Sequence, residues 1–284
     1  MIEPTRIGLP LIEAISAPRP YGTTGVWPLG QAGLIVAIGD AMIAIDLYLS
    51  NHCEAAVRRP FDHRRLTRAP LDASELVNLS AVLCSHFHLD HFDVPTIRTV
   101  RDSSPQAVLV LPEAARAAAL ALDWPEQRVM GTTGAESVTI AAATITSFGV
   151  PHEEYLIEPG QGHVFQGFAI SADQTTIAHV GDARAGARLA ELLKEIQPDL
   201  LCLPINGRSD ERSAMGFAGN MNAEEAVELA VAAGVQRVLP MHDDMFAQNI
   251  DPNARARFFK AAAAADIEVV RPPVGEPYFL RTDL

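Results

Sequence analysis

The stretch AVLCSHFHLDHFD, residues 81–93, decides how the rest of the chain is interpreted. An apolar run at residues 81–85 is followed by three histidines and an aspartate within six positions: His86, His88, Asp90 and His91. A short apolar run is typical of a buried strand, so the cluster is predicted to lie at the rim of a sheet, where ligands commonly bind. Imidazoles and a carboxylate crowded there are costly to desolvate unless a cation satisfies them. The stretch therefore predicts a divalent metal site.

The spacing within the cluster divides it into two parts. His86 and His88 are separated by one residue, so in an extended segment they point the same way. Asp90 and His91 lie beyond a bend and are free to face a second point nearby. One loop is thus predicted to begin two metal sites. Each site needs further ligands, because such ions bind nitrogen and oxygen donors in sets of four or more.

Candidate ligands also follow three other apolar runs along the chain. His152 comes after the run that ends at Val150, Asp182 follows IAHVG, and His242 follows VLPM. His179 precedes the end of its run and is expected to pack or to form hydrogen bonds. His163 lies in a glycine-flanked turn and is the other poor candidate.

The order of apolar patterns indicates the fold class. Residues 25–49 predict a strand, a Gly-Asp turn and a second strand, and further hairpins follow up to residue 182. In the last third, helices predicted at 187–196, 222–234 and 253–266 alternate with single strands. Asn222 and Glu225 have the spacing of a capping box at the start of the second of these helices. Hairpins followed by this alternation predict an α/β chain of two facing sheets with helices outside.

Two further segments are predicted from composition. The alanine-rich residues 112–124 predict a helix, and residues 51–72, rich in Arg, Pro and His, predict a long surface loop that is able to close over the site. We find neither a linker nor a repeat, so residues 1–284 are expected to form a single domain.

Composition narrows the classes of partner. The formal net charge of −13 over 284 residues argues against a nucleic acid or an anionic membrane as the partner. Cys53, Cys84 and Cys202 form no CxxC pair, so neither a disulfide framework nor a thiolate zinc site is indicated. The N-terminus lacks the pattern of a signal peptide, and Asp40 and Asp46 interrupt the most apolar stretch. A cytoplasmic protein with a small-molecule substrate is expected, and homo-oligomer formation is left open.

The motif HFHLDH, residues 86–91, resembles the HxHxDH motif of the metallo-β-lactamase superfamily, and the later His, Asp and His occur in that family's order. Within the superfamily the chain is similar to the L-ascorbate-6-phosphate lactonase group. The stretches that carry this likeness are WPLGQAGLIVAIGDAMIAIDLYLS (27–50), CSHFHLDHFD (84–93), GNMNAEEAVELA (219–230) and PMHDDMFAQNIDP (240–252). The resemblance implies a four-layer αβ/βα sandwich of two mixed sheets with the metal site at one edge.

The resemblance also implies a ligand set. His86, His88 and His152 would hold a first ion, Asp90, His91 and His242 a second, and Asp182 would bridge both. Asp46 and Asp244 are interpreted either as carboxylates that orient ligand histidines or as plain turn residues.

The implied chemistry is hydrolysis by a hydroxide that two divalent ions share, with Asp90 and Asp182 as the catalytic side chains. Zn²⁺ and Mn²⁺ both suit the nitrogen and oxygen donors, and iron is less favoured. The expected substrate is a lactone or related ester of a sugar-derived acid. Asn206, Arg208 and Arg212 are expected to meet an anionic part of it, unless their loop is a solvated one held by its own ion pairs. A phosphodiesterase, a di-iron oxidoreductase and a metal-binding regulator are the alternatives.

Overall fold

The computed structural model describes residues 1–57 and 62–281, which form eight α-helices, two seven-stranded sheets and a separate two-stranded hairpin. The strands are β1 (Thr23–Gly30), β2 (Gly33–Ile38), β3 (Ala41–Ile45), β4 (Ala81–Leu83), β5 (Val108–Pro112), β6 (Val129–Thr132), β7 (Ser137–Ile140), β8 (Ala143–Gly149), β9 (Ile157–Glu158), β10 (Gly162–His163), β11 (Gln166–Ala172), β12 (Thr175–His179), β13 (Leu200–Pro204), β14 (Arg237–Met241), β15 (Glu268–Val269) and β16 (Tyr278–Arg281). The helices are α1 (Leu9–Ser16), α2 (His52–Ala56), α3 (Val94–Ser103), α4 (Arg116–Leu120), α5 (Ala187–Ile196), α6 (Asp210–Ala214), α7 (Ala223–Ala232) and α8 (Ala254–Ala264).

The two large sheets share one strand plan. The first has the order β16-β1-β2-β3-β4-β5-β6, and the second has the order β15-β14-β13-β12-β11-β8-β7. In the first sheet, β16 to β3 pair antiparallel and β3 to β6 pair parallel. In the second sheet, β7 to β12 pair antiparallel and β12 to β15 pair parallel. Both sheets are therefore mixed, as predicted.

Apolar side chains fill three layers of core. Strand β2 is apolar at every position because both of its faces are covered. Val36 faces the second sheet, Ile35 faces the helices outside, and both are fully buried. A strand covered on both faces has no polar side to alternate with. Phe168 and Ile177 of the second sheet pack in the same central layer as Val36.

Helices cover the outer face of each sheet. Ile97 of α3 packs on the first sheet, and Leu189 of α5 packs on the second. The predicted four-layer α/β sandwich is confirmed. In residues 1–57 and 62–281, no helix combines the length and the apolar character that crossing a membrane requires.

Some local predictions were wrong. The α-helix expected over residues 112–124 is limited to α4, because Pro112 still belongs to β5 and Asp123 has a left-handed φ of 61°. The expected loop at 51–72 contains α2, and its Thr67 is fully buried. Residues 58–61 of that loop lie outside the described residues.

The capping box predicted at α7 is present, since Asn222 and Glu225 exchange two hydrogen bonds of 2.9 Å.

Candidate metal centre

The seven candidate ligands converge at one edge of the sandwich, each in the segment that follows a strand. They form two groups, and within each group the ligand atoms lie within 4.8 Å of one another. The first group is His86, His88, His152 and Asp182, and the second group is Asp90, His91 and His242. The loop after β4 contributes to both groups, in agreement with the division expected from its spacing.

The turn at His88 separates the two parts of that loop. The main-chain N–H groups of His91 and Phe92 both donate to the carbonyl oxygen of His88, at 3.0 and 2.7 Å. The buried carboxylate of Asp93 then ties the turn to its neighbours, because it accepts hydrogen bonds from the hydroxyls of Ser50 and Thr96. The turn is therefore held rigidly from both sides.

The ligands from the second sheet depend on unusual backbone positions. Gly181 has a φ of 59°, and a Cβ atom there would lie 2.7 Å from the Cβ of Ser85, so only glycine lets the Asp182 loop approach this closely. His242 has a φ of 65°, and its N–H donates to the carbonyl oxygen of Gln31 at 2.9 Å. A non-glycine residue in this left-handed region marks a backbone that its surroundings have fixed.

The second group and Asp182 form a cage of four ligand atoms. Asp182 Oδ1 lies 3.3 Å from His91 Nε2 and 3.2 Å from His242 Nε2. Asp90 Oδ2 lies 3.5 Å from His242 Nε2 and 3.7 Å from His91 Nε2. Around a tetrahedral ion, metal–ligand distances of about 2.0–2.1 Å put the ligand atoms about 3.3–3.4 Å apart. The cage therefore fits a divalent ion.

The first group contains nitrogens that lack a hydrogen-bonding partner. His86 Nε2 and both ring nitrogens of His152 are buried and make no hydrogen bond within residues 1–57 and 62–281. His152 Nε2 lies 3.8 Å from Asp182 Oδ2, whereas the ring of His88 is exposed. Buried polar atoms nearly always have a partner. An ion bound among these nitrogens would be that partner, so the residues fit a second ion as well.

Asp46, fully buried at the end of β3, supports both groups. Its Oδ2 accepts a hydrogen bond from His91 Nδ1 at 2.8 Å, which leaves His91 Nε2 directed into the cage. It also accepts from the hydroxyl of Ser85, which in turn lies 2.9 Å from His86 Nδ1. Asp244, the other carboxylate singled out from the sequence, instead accepts the main-chain N–H of Gln31 at 2.8 Å.

The two groups differ in their protonation. Burial lowers the pKa of His86 well below its usual value and lowers that of His152 to about 4. Burial also acts to lower the pKa of His91 and His242, but the neighbouring carboxylates, Asp182 above all, outweigh it. They raise the pKa of His91 and bring that of His242 to about 10. At neutral pH without ions, the imidazoles of His86 and His152 are thus neutral, whereas those of His91 and His242 hold protons.

The two histidines rated as poor candidates lie outside both groups. His179 Nε2 donates to the carbonyl oxygen of Ala32 at 2.9 Å, and its Nδ1 accepts from the N–H of Gly181 at 3.1 Å. His163 packs against Gly149. The hydrogen bonds of His179 show that it helps to shape the Asp182 loop.

The three residues expected to contact the substrate hold their own loop together. The amide of buried Asn206 donates to the carbonyl oxygen of Asn249 at 3.1 Å. Arg208 forms a 2.6 Å ion pair with Glu225, and Arg212 donates to the carbonyl oxygen of Asn206 at 3.0 Å. The geometry favours the alternative of a loop held by internal contacts, and a role in substrate binding stays a prediction.

A cavity of about 320 Å³ opens beside the metal ligands. The ligands His88, Asp90, His152 and Asp182 reach it, and the apolar part of its wall is Val57, Phe87, Leu89, Phe217 and Phe246. Among the described residues that line it there is no lysine or arginine.

Gln31 is the site residue that sequence reasoning missed. Its side chain is buried, and its Nε2 lies 2.6 Å from Asp90 Oδ2 and 3.0 Å from His242 Nε2. A glutamine between β1 and β2 looks like an ordinary turn residue, and only the pairing of this turn with the His242 loop gives it another role.

Comparison with known proteins places this fold and site in context. A UPF0173 metal-dependent hydrolase of Methanoculleus marisnigri is 26% identical over 168 residues, which cover 58% of this chain and 66% of that protein. A UPF0173 metal-dependent hydrolase of Myxococcus xanthus is 24% identical over 232 residues, which cover 79% and 72%. The solved structure of Igni18, a metallo hydrolase from Ignicoccus hospitalis, has a TM-score of 0.68 at 18% identity and covers 92% of this chain and 100% of its own.

The family model described as the beta-lactamase superfamily domain matches residues 43–242. The more specific likeness to the lactonase group stays a prediction. The matched range runs from β3 through Asp46 and the whole ligand cluster to His242, the last of the candidate ligands. The chain belongs to the beta-lactamase superfamily.

Proposed function

We propose that the protein is a metal-dependent hydrolase that opens a lactone or cleaves a related carboxylic ester. The cage of Asp90, His91, Asp182 and His242 is the observation that carries this proposal, because the four distances between its histidine nitrogens and carboxylate oxygens suit a shared divalent ion. When bound at the two groups, divalent ions such as Zn²⁺ or Mn²⁺ supply Lewis acidity and a water whose pKa falls to about 7.

Asp90 is the side chain best placed to orient the nucleophile. It belongs to the second group and also lines the cavity. Burial acts to raise the pKa of its carboxyl, but His91 and His242 outweigh this effect and hold the pKa below its usual range. The carboxylate therefore stays ionised, so it is better suited to accept a hydrogen bond from the nucleophile than to act as a general acid.

Cys53 also lines the cavity, but it is a poor nucleophile. Burial raises the pKa of its thiol, with the charge of Asp90 adding to the shift. The thiolate is the reactive form of cysteine, so a protonated Cys53 leaves the chemistry to the metal ligands.

The cavity favours a neutral, partly apolar substrate over the anionic sugar lactone expected from the sequence. Its described wall is largely apolar and offers no cationic side chain, and Arg208 is committed to Glu225. Away from the metal ligands, this wall gives an anionic group of the substrate no partner, and burying an unpaired carboxylate or phosphate there is unfavourable. A small-molecule substrate and a cytoplasmic location, in keeping with three free and buried cysteines, complete the proposal.

The test is a hydrolysis screen on protein loaded with Zn²⁺ or Mn²⁺. We expect neutral alkyl-substituted lactones to be opened faster than an anionic sugar lactone, a phosphodiester or a β-lactam, with loss of activity on chelation and recovery on reloading. Phe87→Ala should lower kcat/KM for the alkyl-substituted lactone more than for an unsubstituted one. Val231→Ala, an exposed apolar site on α7, is the control. A preference for the anionic lactone would contradict the proposed substrate, and iron with oxygen-dependent turnover would support the di-iron alternative.

A further inference from the structure

Gln31 faces one edge of the metal cage. Its side-chain nitrogen lies 2.6 Å from Asp90 Oδ2 and 3.0 Å from His242 Nε2, two cage atoms that are themselves 3.5 Å apart. The residue is only 4% exposed. A neutral amide group therefore lies against the second group, within 3.0 Å of two of its candidate ligand atoms.

The main chain holds Gln31 in this position from two sides. Its N–H donates to Asp244 Oδ1 at 2.8 Å, and its carbonyl oxygen accepts from the N–H of His242 at 2.9 Å. Its φ is 57°, in the left-handed region that glutamine rarely adopts. Gly30 before it has a φ of 95° and packs against Met245. The turn is therefore built to present this side chain to the cage.

The two ends of the amide suit two states of the site. Without an ion, the side-chain N–H of Gln31 donates to the anionic Asp90, and its Oε1 is buried without a hydrogen bond in the described chain. A half-turn of the terminal torsion exchanges nitrogen and oxygen while the other side-chain atoms stay in place. A cation in the cage repels the N–H end and attracts the oxygen.

We propose that Gln31 is a ligand of the second ion, and that its amide turns over on metal loading to present Oε1. This inference rests on the proposed function only in requiring that the second group binds an ion. The added carbonyl-type oxygen raises the number of protein donor atoms at this site above the four of the cage. Carboxylate and carbonyl oxygens suit Mn²⁺ better than they suit Zn²⁺, so Gln31 should shift the selectivity of the second site towards Mn²⁺.

The experiment is a metal titration of the full-length protein and its variants, starting from the metal-free form. In Gln31→Leu, we expect the Kd of the second Mn²⁺ to rise by about 10- to 100-fold while the Kd of the first is unchanged. In Gln31→Glu, a carboxylate oxygen replaces the amide oxygen, so second-site affinity should equal or exceed that of the unmodified protein. With Co²⁺, Gln31→Leu should show the stronger visible absorption of a four-coordinate ion at the second site.

Two further variants guard against effects on folding. Gln174→Leu changes a glutamine of similar φ, 63°, in the exposed turn between β11 and β12, and it should leave both affinities unchanged. Gln31→Asn keeps the amide and tolerates the backbone but is one methylene shorter, so it should weaken the second site as Gln31→Leu does.

Three results would overturn the inference. An unchanged second Kd in Gln31→Leu would show that the amide does not touch the ion. A second site weaker in Gln31→Glu than in Gln31→Leu would show that Gln31 acts only as a donor to Asp90. Binding of only one ion by the unmodified protein would remove the second site itself. Failure of the hydrolysis screen with these affinity changes intact would instead reject the proposed function alone.

Discussion

The first and second ligand groups share one loop but are supported differently. In the first group, His86 and His152 are buried and neutral, with ring nitrogens that have no hydrogen-bonding partner among the described residues, and His88 is exposed. In the second group, Asp90, His91 and His242 lie among opposite charges, with Asp46 behind His91 and Gln31 beside Asp90 and His242.

This difference determines whether the histidines of each group must lose protons when an ion binds. The first group is ready to bind, because neutral imidazoles need not lose protons. The second group carries protons on His91 and His242, which the neighbouring carboxylates stabilise. An ion there must displace those protons, so the two sites should differ in affinity and in their dependence on pH.

Asp182 is the candidate ligand that lies close to residues of both groups, so its loss should affect the two sites together. We expect Asp182→Asn to weaken both sites, because Oδ1 lies beside His91 and His242 and Oδ2 faces His152. Losing one partner of a buried charged cluster costs about 3–5 kcal/mol, and kcat/KM should fall by about two to four orders of magnitude. Metal stoichiometry and steady-state kinetics measure the effect.

Asp173→Asn, in the exposed turn after β11, is the matched control and should change neither quantity. If Asp182→Asn weakened only one site, the carboxylate would belong to that group alone.

Asp46 should separate the groups, because its direct hydrogen bond is to His91 and its link to His86 runs through Ser85. We expect Asp46→Asn to weaken the second ion by about 10- to 100-fold and the first ion by less. Calorimetric titration of each ion would measure both losses, and circular dichroism would check the fold. Equal losses at the two sites would mean that Ser85 transmits the full effect of the carboxylate.

Acidification should release the second ion first. Because the metal-free pKa of His242 is about 10, this imidazole is protonated throughout the range from pH 8 to 5.5 and must lose a proton on binding. The apparent Kd of the second ion should therefore rise about tenfold per unit fall in pH for each proton displaced. His152, with a pKa near 4, is neutral over the same range, so the first Kd should stay nearly constant. Parallel pH dependences would contradict this difference.

The smallest effect is expected at Arg208, outside both groups. Its partly exposed ion pair with Glu225 should contribute about 0.2–1 kcal/mol to the free energy of unfolding. We expect Arg208→Ala to lower stability by that amount in urea unfolding and to leave kcat/KM unchanged for neutral and anionic lactones alike. A loss confined to the anionic lactone would restore the arginine as a substrate contact.

The sequence predicted the placement of the candidate ligands better than that of the residues which support them. His152, Asp182 and His242 each follow an apolar run, and ends of strands meet at sheet edges, so their convergence was predictable. The ion pair of Arg208 could not be predicted. The sequence identifies Glu225 only as a helix-capping residue, and its contact with Arg208 depends on how the loop folds back. Gln31 depends on a contact across more than 200 residues.

Helix α3 was missed for a different reason. Val94, Thr96, Ile97, Thr99 and Val100 are β-branched and have low helix propensity. Tertiary packing overrides that propensity, because Ile97 and Val100 are buried against the first sheet and Asp93 anchors the first turn. Helices that packing stabilises in this way leave little trace in local composition.

Each sheet supplies half of the first group and half of the four-residue cage. His86 and His88 come from the first sheet and meet His152 and Asp182 from the second, and the cage is divided in the same way. Two ligands are too few for tight binding, so an ion is captured only after both halves of the chain have folded and docked. A bound ion would then hold the two halves together: at 100 times its Kd, it would add about 2.7 kcal/mol to the stability of the docked state. Chelation should therefore allow the two sheets to separate first at the edge that carries the ligands. Amide hydrogens beside the ligand loops should then exchange with solvent sooner than those at the opposite end of the same strands.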